Sequence, residues 1–363
     1  MTSGLPPERG EDSLNPSMAA LQAVLDECAA LQPVTVGETP RTAIHTLPPA
    51  TLYHYPPPAD TQAPEPEARR PLLVLYSLVN RPYLLDLSPQ RSLLRGLRDS
   101  GLPVYLLDWG RPEPADRFLG LDDYLCDILH EAVKEVSRRH GGQPVDLLGV
   151  CQGGTFSLCY TALHPERIGR LATLVTPVDF HCPGDTLGAL ARELNLGLAV
   201  ETLGNIPADL LNLVFISLKP AELLSRRYLQ QLPQLRHNRD ALQDFLRMER
   251  WMYDSPDLSG RAFLEFVREF YQDNALARGT LTIGGREVDP TRIRQPVFNA
   301  YATADHLVPP AAARAMGTLL SNADYREEAV PGGHLGVMLS KKARLGLHQR
   351  LQDWLAQPLP AAP

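Results

Sequence analysis

One stretch limits the folds open to this chain more than any other. Residues Pro144-Val145-Asp146-Leu147-Leu148-Gly149-Val150-Cys151-Gln152-Gly153-Gly154 read as a short apolar strand, a sharp turn and a helix start. Around the turn the pattern is G-x-C-x-G, with the thiol of Cys151 at the apex. A side chain held on so tight a strand-to-helix turn has backbone close by on both sides. Gly149 and Gly153 remove the Cβ atoms that would clash there. The helix beginning near Gln152 aims unpaired backbone N–H groups at the same point, where they favour negative charge and can hold an oxyanion. A buried structural cysteine in a Gly-rich turn competes with this reading, because so short a match also arises by chance.

The rest of the chain supplies the context such a turn needs. Leu72-Leu73-Val74-Leu75-Tyr76-Ser77, Val104-Tyr105-Leu106-Leu107-Asp108-Trp109, residues 145–150 and Leu171-Ala172-Thr173-Leu174-Val175 are short, continuously apolar runs. Strands buried on both faces look like this. Helical patterns lie between them, at 92–100, 121–140 and 154–164, and the alternation predicts a mostly parallel sheet with helices on both faces. Two more strands are expected at 296–301 and 325–330, with a helix at 311–321 between them and another at 345–355. Residues 43–55 alternate apolar and polar, as one or two edge strands would, and 56–70 is a Pro-rich linker or long turn. Residues 17–31 read as an amphipathic packing helix with Met18, Leu21, Leu25 and Cys28 on one face.

Between 181 and 290 the alternation breaks into helical sequence rich in large apolar groups, among them Leu210, Phe215, Trp251, Phe266 and Tyr271. The expected organisation is therefore an α/β core in two parts, 43–180 and 291–358, interrupted by a helical cap at 181–290. An N-terminal extension, 1–42, precedes it, with one helix and a polar, disordered start at 1–16. The cap's aromatic content suits packing onto the core, and also suits an apolar wall beside Cys151.

Composition narrows the function. At 363 residues and 44% hydrophobic the chain can bury one large domain with an insertion, or two small domains. A formal charge of -7 argues against nucleic acid as the main partner. Five cysteines (Cys28, Cys126, Cys151, Cys159, Cys182) make an odd number with no zinc-like C-x-x-C pair, so a reduced, cytosolic compartment and no metal are expected. The first residues lack the basic and apolar regions of a signal peptide, and no apolar run approaches the ~18 residues of a membrane span.

Where a nucleophile sits on such an elbow, its acid and its histidine follow in that order, on loops after late strands. Asp305 lies just past the expected strand at 296–301, in Ala304-Asp305-His306-Leu307-Val308-Pro309-Pro310. His334 lies just past the strand at 325–330, in Pro331-Gly332-Gly333-His334. His334 would take the thiol proton and Asp305 would orient the imidazole. Gly332 and Gly333 would let that loop approach the elbow. His306 competes with His334 as base, but beside the acid it suits a supporting position better, as does Asn80. An oxyanion hole needs two N–H donors: Gln152 supplies one, and Val79 or Asn80, with Val79 preferred, supplies the other from the loop after the first core strand. Cys126, Cys159 and Cys182 suit packing. Arg81, Arg247 and Arg250 could meet phosphates, though a solvated surface explains each as well.

These residues belong to a set of blocks. Gly149-Val150-Cys151-Gln152-Gly153-Gly154 resembles the lipase-like box of the polyhydroxyalkanoate synthases, in which Cys replaces Ser. Leu78-Val79-Asn80-Arg81-Pro82-Tyr83, Asp108-Trp109-Gly110, Thr176-Pro177-Val178-Asp179-Phe180, Gly204-Asn205-Ile206-Pro207, Asp254-Ser255-Pro256-Asp257 and the two blocks around Asp305 and His334 are similar to the short catalytic subunit of the two-subunit, class III type. The resemblance spans about residues 43 to 356. It is looser at 181–203 and 225–245, and the first 40 residues are longer and more polar than in that family.

The resemblance implies an α/β-hydrolase fold with a cap. It implies polymerisation of (R)-3-hydroxyacyl-CoA, 3-hydroxybutyryl-CoA being expected, into a polyester with release of CoA. It carries the nucleophile to Cys151, the base to His334 and the acid to Asp305, which could also activate the 3-hydroxyl of the chain. No cofactor is implied beyond the CoA thioester, which is substrate. A second synthase subunit, a homo- or hetero-oligomer and a cytoplasmic location at the granule surface are implied as well. Elbow and triad alone leave open a Cys-nucleophile hydrolase, whether thioesterase, polyester depolymerase or lactonase, and a granule-surface protein without activity.

Overall fold

A computed structural model describes residues 16–31, 33–58, 69–320, 323–340 and 344–357. The expected disorder at 1–16 lies outside them except for Pro16, as does most of the linker at 56–70. The chain divides into two compact units, Thr35–Asn212 with Trp251–Pro363, and Met1–Val34 with Leu213–Arg250.

The larger unit is organised by an eight-stranded sheet. In chain order its strands are β1 (Thr42–Leu47), β2 (Ala50–Tyr55), β3 (Leu72–Leu75), β4 (Val104–Asp108), β5 (Val145–Val150), β6 (Ile168–Leu174), β7 (Val297–Ala302) and β8 (Tyr325–Val330). Their order across the sheet is β1-β2-β4-β3-β5-β6-β7-β8. From β4 to β8 every pairing is parallel, while β2 runs antiparallel to both β1 and β4. Each apolar run of the sequence became a strand whose residues are buried on both faces, as in β3, β4, β5 and β6. β1 is mostly exposed, with only Ile44 and Leu47 partly buried, and its register against β2 shifts between Ala43 and His45.

The helices follow from the same patterning. α1 (Leu93–Asp99) starts at Ser92, whose hydroxyl caps it by accepting from the Arg95 N–H at 2.9 Å. α2 (Leu129–Arg139) buries Leu129, Ala132, Val133 and Val136, the i, i+3, i+4, i+7 set of one face, and keeps Glu131, Lys134, Glu135 and Arg138 in ion pairs outside. α3 (Gln152–Leu163) is different: all twelve residues are buried, so it carries no polar face at all.

The chain passes from β3 to β4 on one side, then crosses back to β5 on the other. The β3/β5 boundary is therefore a topological switch point, where the loops after the two strands diverge and leave a crevice at their carboxyl ends. Because β3 and β5 to β8 are parallel, the loops after β3, β5, β7 and β8 all emerge at that edge.

The stretch 181–290 is helical over most of its length, with a small ribbon of Thr282–Ile283 against Arg286–Glu287. Its first and last parts belong to the larger unit. There Phe266, Phe270 and Tyr271 join Phe180 in one ring cluster, with centroids 4.6 to 6.0 Å apart. Residues 213–250 belong to the smaller unit, where Val24, Leu232 and Leu242 form the core, with Leu21, Cys28, Leu31, Tyr228, Leu235 and Phe245 packed against it. The N-terminal helix Pro16–Ala29 thus turns Leu21 and Cys28 of the expected face inward, together with Val24, and leaves Leu25, also expected there, 44% exposed. Arg227 to Glu249 and Arg236 to Glu27, at 2.7 and 3.1 Å, tie this unit together. Among the described residues no helix is long and apolar enough to cross a membrane.

Candidate active site

Cys151 follows β5 directly and stands at the start of α3 with φ 55° and ψ -126°, a conformation that costs a side-chain-bearing residue about 1–3 kcal/mol. Its neighbours leave no choice of residue. A Cβ on Gly149 would lie 2.4 Å from Gly154 Cα and 2.6 Å from the Gly153 carbonyl oxygen. A Cβ on Gly153 would lie 2.5 and 2.6 Å from the carbonyl oxygens of Leu75 and Tyr76. The spacing G-x-C-x-G is thus the steric record of α3 pressed against the ends of β3 and β5. The turn is anchored by the Cys151 N–H donating to Leu174 O at 2.9 Å and the Gly154 N–H donating back to Cys151 O at 2.9 Å.

Asp305 and His334 arrive from the loops after β7 and β8. Those loops are laced together: the Thr303 N–H donates to Val330 O and the Ala304 N–H to Gly332 O, both at 2.9 Å. Gly332 has φ 126°, open only to glycine, whereas a Cβ on Gly333 would meet nothing nearer than 3.6 Å. Gly332 therefore serves the bend of the loop, and neither glycine is needed for close approach to the elbow. Asp305 Oδ1 accepts the N–H groups of Leu307 and Val308 at 2.9 and 3.0 Å, leaving Oδ2 for His334 Nδ1 at 2.7 Å. The carboxylate only accepts, so Nδ1 carries the proton and Nε2 faces the Cys151 sulfur, with which His334 also hydrogen-bonds.

Both side chains are buried, Asp305 completely and His334 to 8% exposure, while Cys151 is partly open. Burial opposes the charged imidazole. Negative charge on the Cys151 sulfur and the hydrogen bonds to Asp305 and Cys151 outweigh it and push His334 up to about 10. A sulfur, an imidazole and a carboxylate in this sequence have the connectivity of a nucleophile, its base and the group that orients the base. His306 is half-buried, and the imidazole bonded to the sulfur is that of His334. Burial and the charge on Cys151 raise the hydroxyl of Tyr76; burial, Asp185 and Cys151 raise that of Tyr271. Two neutral phenols therefore stand in the neighbourhood of the sulfur.

The loop after β3 completes the site. As first residue of α3, Gln152 has an N–H with no acceptor inside the helix. Its side chain turns the other way: Oε1 accepts from the Leu78 N–H at 3.0 Å and from Ser77 Oγ at 3.1 Å. Ser77 Oγ in turn accepts the Val79 N–H at 3.0 Å, so the N–H expected as second oxyanion donor already has a partner. Asn80 takes the left-handed conformation at φ 63°, which its short polar side chain tolerates. Arg81 closes the loop on Asp108 at 3.0 Å and on Gly110 O at 3.0 Å, and so does not reach for a phosphate. Arg247 pairs with Asp244, and Arg250 donates to Val34 O. Ser77 and the side chain of Gln152 went unnoticed in the sequence. The available signal was a serine two residues before the expected donor, the spacing at which a hydroxyl caps a backbone N–H.

The profile of the alpha/beta hydrolase fold matches residues 71–340 of this chain. The chain is similar to "Poly(3-hydroxyalkanoate) polymerase subunit PhaC" of Allochromatium vinosum, 45% identical over 323 residues, covering 89% of this chain and 90% of that protein. The protein of the same name from Thiocystis violacea is 42% identical over 322 residues, 89% of each chain. That from Synechocystis sp. is 41% identical over 331 residues, 89% of this chain and 86% of the relative.

Proposed function

This chain belongs to the family of poly(3-hydroxyalkanoate) polymerase subunits, on an alpha/beta hydrolase fold, and from that premise we propose that Cys151, His334 and Asp305 carry the polymerisation. The chain is the catalytic subunit, an acyltransferase that joins 3-hydroxyacyl units into polyester. The observation that supports the assignment of residues is the unbroken line from Cys151 through His334 to a wholly buried Asp305.

The sulfur of Cys151 attacks the carbonyl carbon of an (R)-3-hydroxyacyl-CoA, its proton held by His334 and the imidazolium held by Asp305. A bond forms between that carbon and Sγ, and the bond to the CoA sulfur breaks. The CoA thiolate leaves with the proton from His334, and an acyl-enzyme thioester remains. The hydroxyl of another acyl unit then attacks this thioester, giving its proton to His334; the bond from the carbonyl carbon to Sγ breaks, Cys151 leaves as the thiolate beside the His334 imidazolium, and the polyester grows by one ester bond. Exchange of one thioester for another is nearly balanced in energy, so the outcome turns on keeping water from the acyl-enzyme. The cluster of Phe180, Phe266, Phe270 and Tyr271 is the apolar material available for that role. Gln152 N–H and Val79 N–H hold the oxyanion. A second synthase subunit of the class III type joins the chain at the surface of cytoplasmic polyester granules, and 3-hydroxybutyryl-CoA is the substrate.

Product analysis after incubation with 3-hydroxybutyryl-CoA tests this reading. Polymer from the wild-type protein, and neither polymer nor released CoA from Cys151→Ala, is expected. Free 3-hydroxybutyrate as the main product would make the protein a hydrolase, and CoA release by Cys151→Ala would remove Cys151 from the mechanism.

A further inference from the structure

Both backbone donors at the start of the loop after β3 are engaged by side chains. The Leu78 N–H goes to Gln152 Oε1 and the Val79 N–H to Ser77 Oγ, at 3.0 Å each, and the Ser77 hydroxyl donates to Gln152 Oε1 at 3.1 Å. Ser77 and Gln152 are 6% and 8% exposed, so water competes poorly for these bonds. Gln152 is also the residue after Cys151, which couples this small network to the elbow itself. An acyl oxygen that draws on the Val79 N–H must take it from Ser77.

We propose that Ser77 is a positioning residue that sets the strength of the oxyanion hole: its hydroxyl competes with the acyl oxygen for the Val79 N–H. The inference rests on Cys151 being the acylated group. The Ser77 O–H stays on Gln152 throughout, so when the negative oxygen of the tetrahedral intermediate claims the Val79 N–H, only an accepting lone pair of Ser77 is given up. A charged oxygen is the stronger acceptor and wins, while a neutral ground-state carbonyl is close to an even match for the hydroxyl. The competition therefore weakens ground-state binding at the carbonyl without abolishing transition-state stabilisation.

Two reactions of the same sulfur separate this from a structural role. Acylation by 3-hydroxybutyryl-CoA generates an oxyanion; alkylation by iodoacetamide at its methylene carbon does not. Ser77→Ala should release the Val79 N–H to ground state and transition state alike, and so raise the rate of CoA release at substrate concentrations well below saturation by about two- to tenfold, the worth of one hydrogen bond. The alkylation rate should stay within twofold. Ser77→Thr, which restores the accepting oxygen, should return CoA release to the wild-type rate. Slower or unchanged CoA release in Ser77→Ala, at normal alkylation, would overturn the proposal, because the hydroxyl would then hold the amide toward the substrate or be irrelevant to it. A parallel change in both reactions would mean that the substitution disturbs the elbow, and would overturn it too. Cys151→Ala, run alongside, keeps the two levels apart: CoA release in that protein would bring down the catalytic assignment rather than the role of Ser77.

Discussion

Replacing Asp305 with Asn changes one atom type and almost nothing of the loop. The carboxamide oxygen can still accept from Leu307 and Val308, which now lie 2.9 and 3.0 Å from Oδ1. The amide NH2 then occupies the place of Oδ2, 2.7 Å from His334 Nδ1. A donor there forces Nδ1 to accept, which puts the proton on Nε2, the nitrogen that must receive the proton of Cys151. Breaking a buried charged pair costs about 3–5 kcal/mol, or roughly two to three and a half orders of magnitude in rate. The lower half of that range applies, because the imidazole escapes part of the penalty by staying neutral. Single-turnover CoA release should therefore fall about 10²- to 10³-fold, near 3–4 kcal/mol. Iodoacetamide alkylation near pH 7 should slow as well. A single cooperative unfolding transition, lowered by no more than the lost pair accounts for, would show that the loop survived. CoA release within threefold of wild type would refute the role given to Asp305.

Gly153→Ala places a Cβ against two carbonyl oxygens of the backbone, at 2.5 and 2.6 Å, where no flexible side chain can yield; a loss of about 1–3 kcal/mol is expected, read from urea denaturation. His334 ties stability to pH. Its pKa is raised in the folded protein, to about 10 from an ordinary 6.5, so its contribution is complete below pH 6.5 and drains away as pH rises toward 10. Unfolding curves at pH 6 and pH 9.5 should show wild type losing more stability over that interval than His334→Gln does.

Much of the fold lies on the surface of the sequence, for a reason particular residues make plain. β3 to β6 are buried on both faces, so their runs are apolar but for Asp108, Asp146, Arg170 and Thr173, too few to impose a period, and each boundary falls within three residues of its reading. The elbow glycines are legible because backbone presses on them. Asp305 and His334 are legible because parallel strands deliver their carboxyl ends to one edge, so an offset from a strand end is an offset from the site. Long-range choices are not written locally. Val24 and Leu25 are both apolar, and only Leu232 and Leu242, more than 200 residues away, decide which one turns inward. The smaller unit joins residues 1–34 to 213–250 for the same reason, and no period within 181–290 announces it. Ser77 escaped because its role depends on a three-residue network closed by Gln152 across the sheet edge.

The most direct measurement is the mass of the intact protein, and then of its peptides, quenched with acid shortly after mixing with 3-hydroxybutyryl-CoA. Hydroxybutyryl or oligomeric hydroxybutyrate on the peptide bearing Cys151, lengthening with time and missing from Cys151→Ala, is the expected result. An acyl group on any other residue while polymer accumulates, or polymer formed by a protein that never carries one, would contradict it.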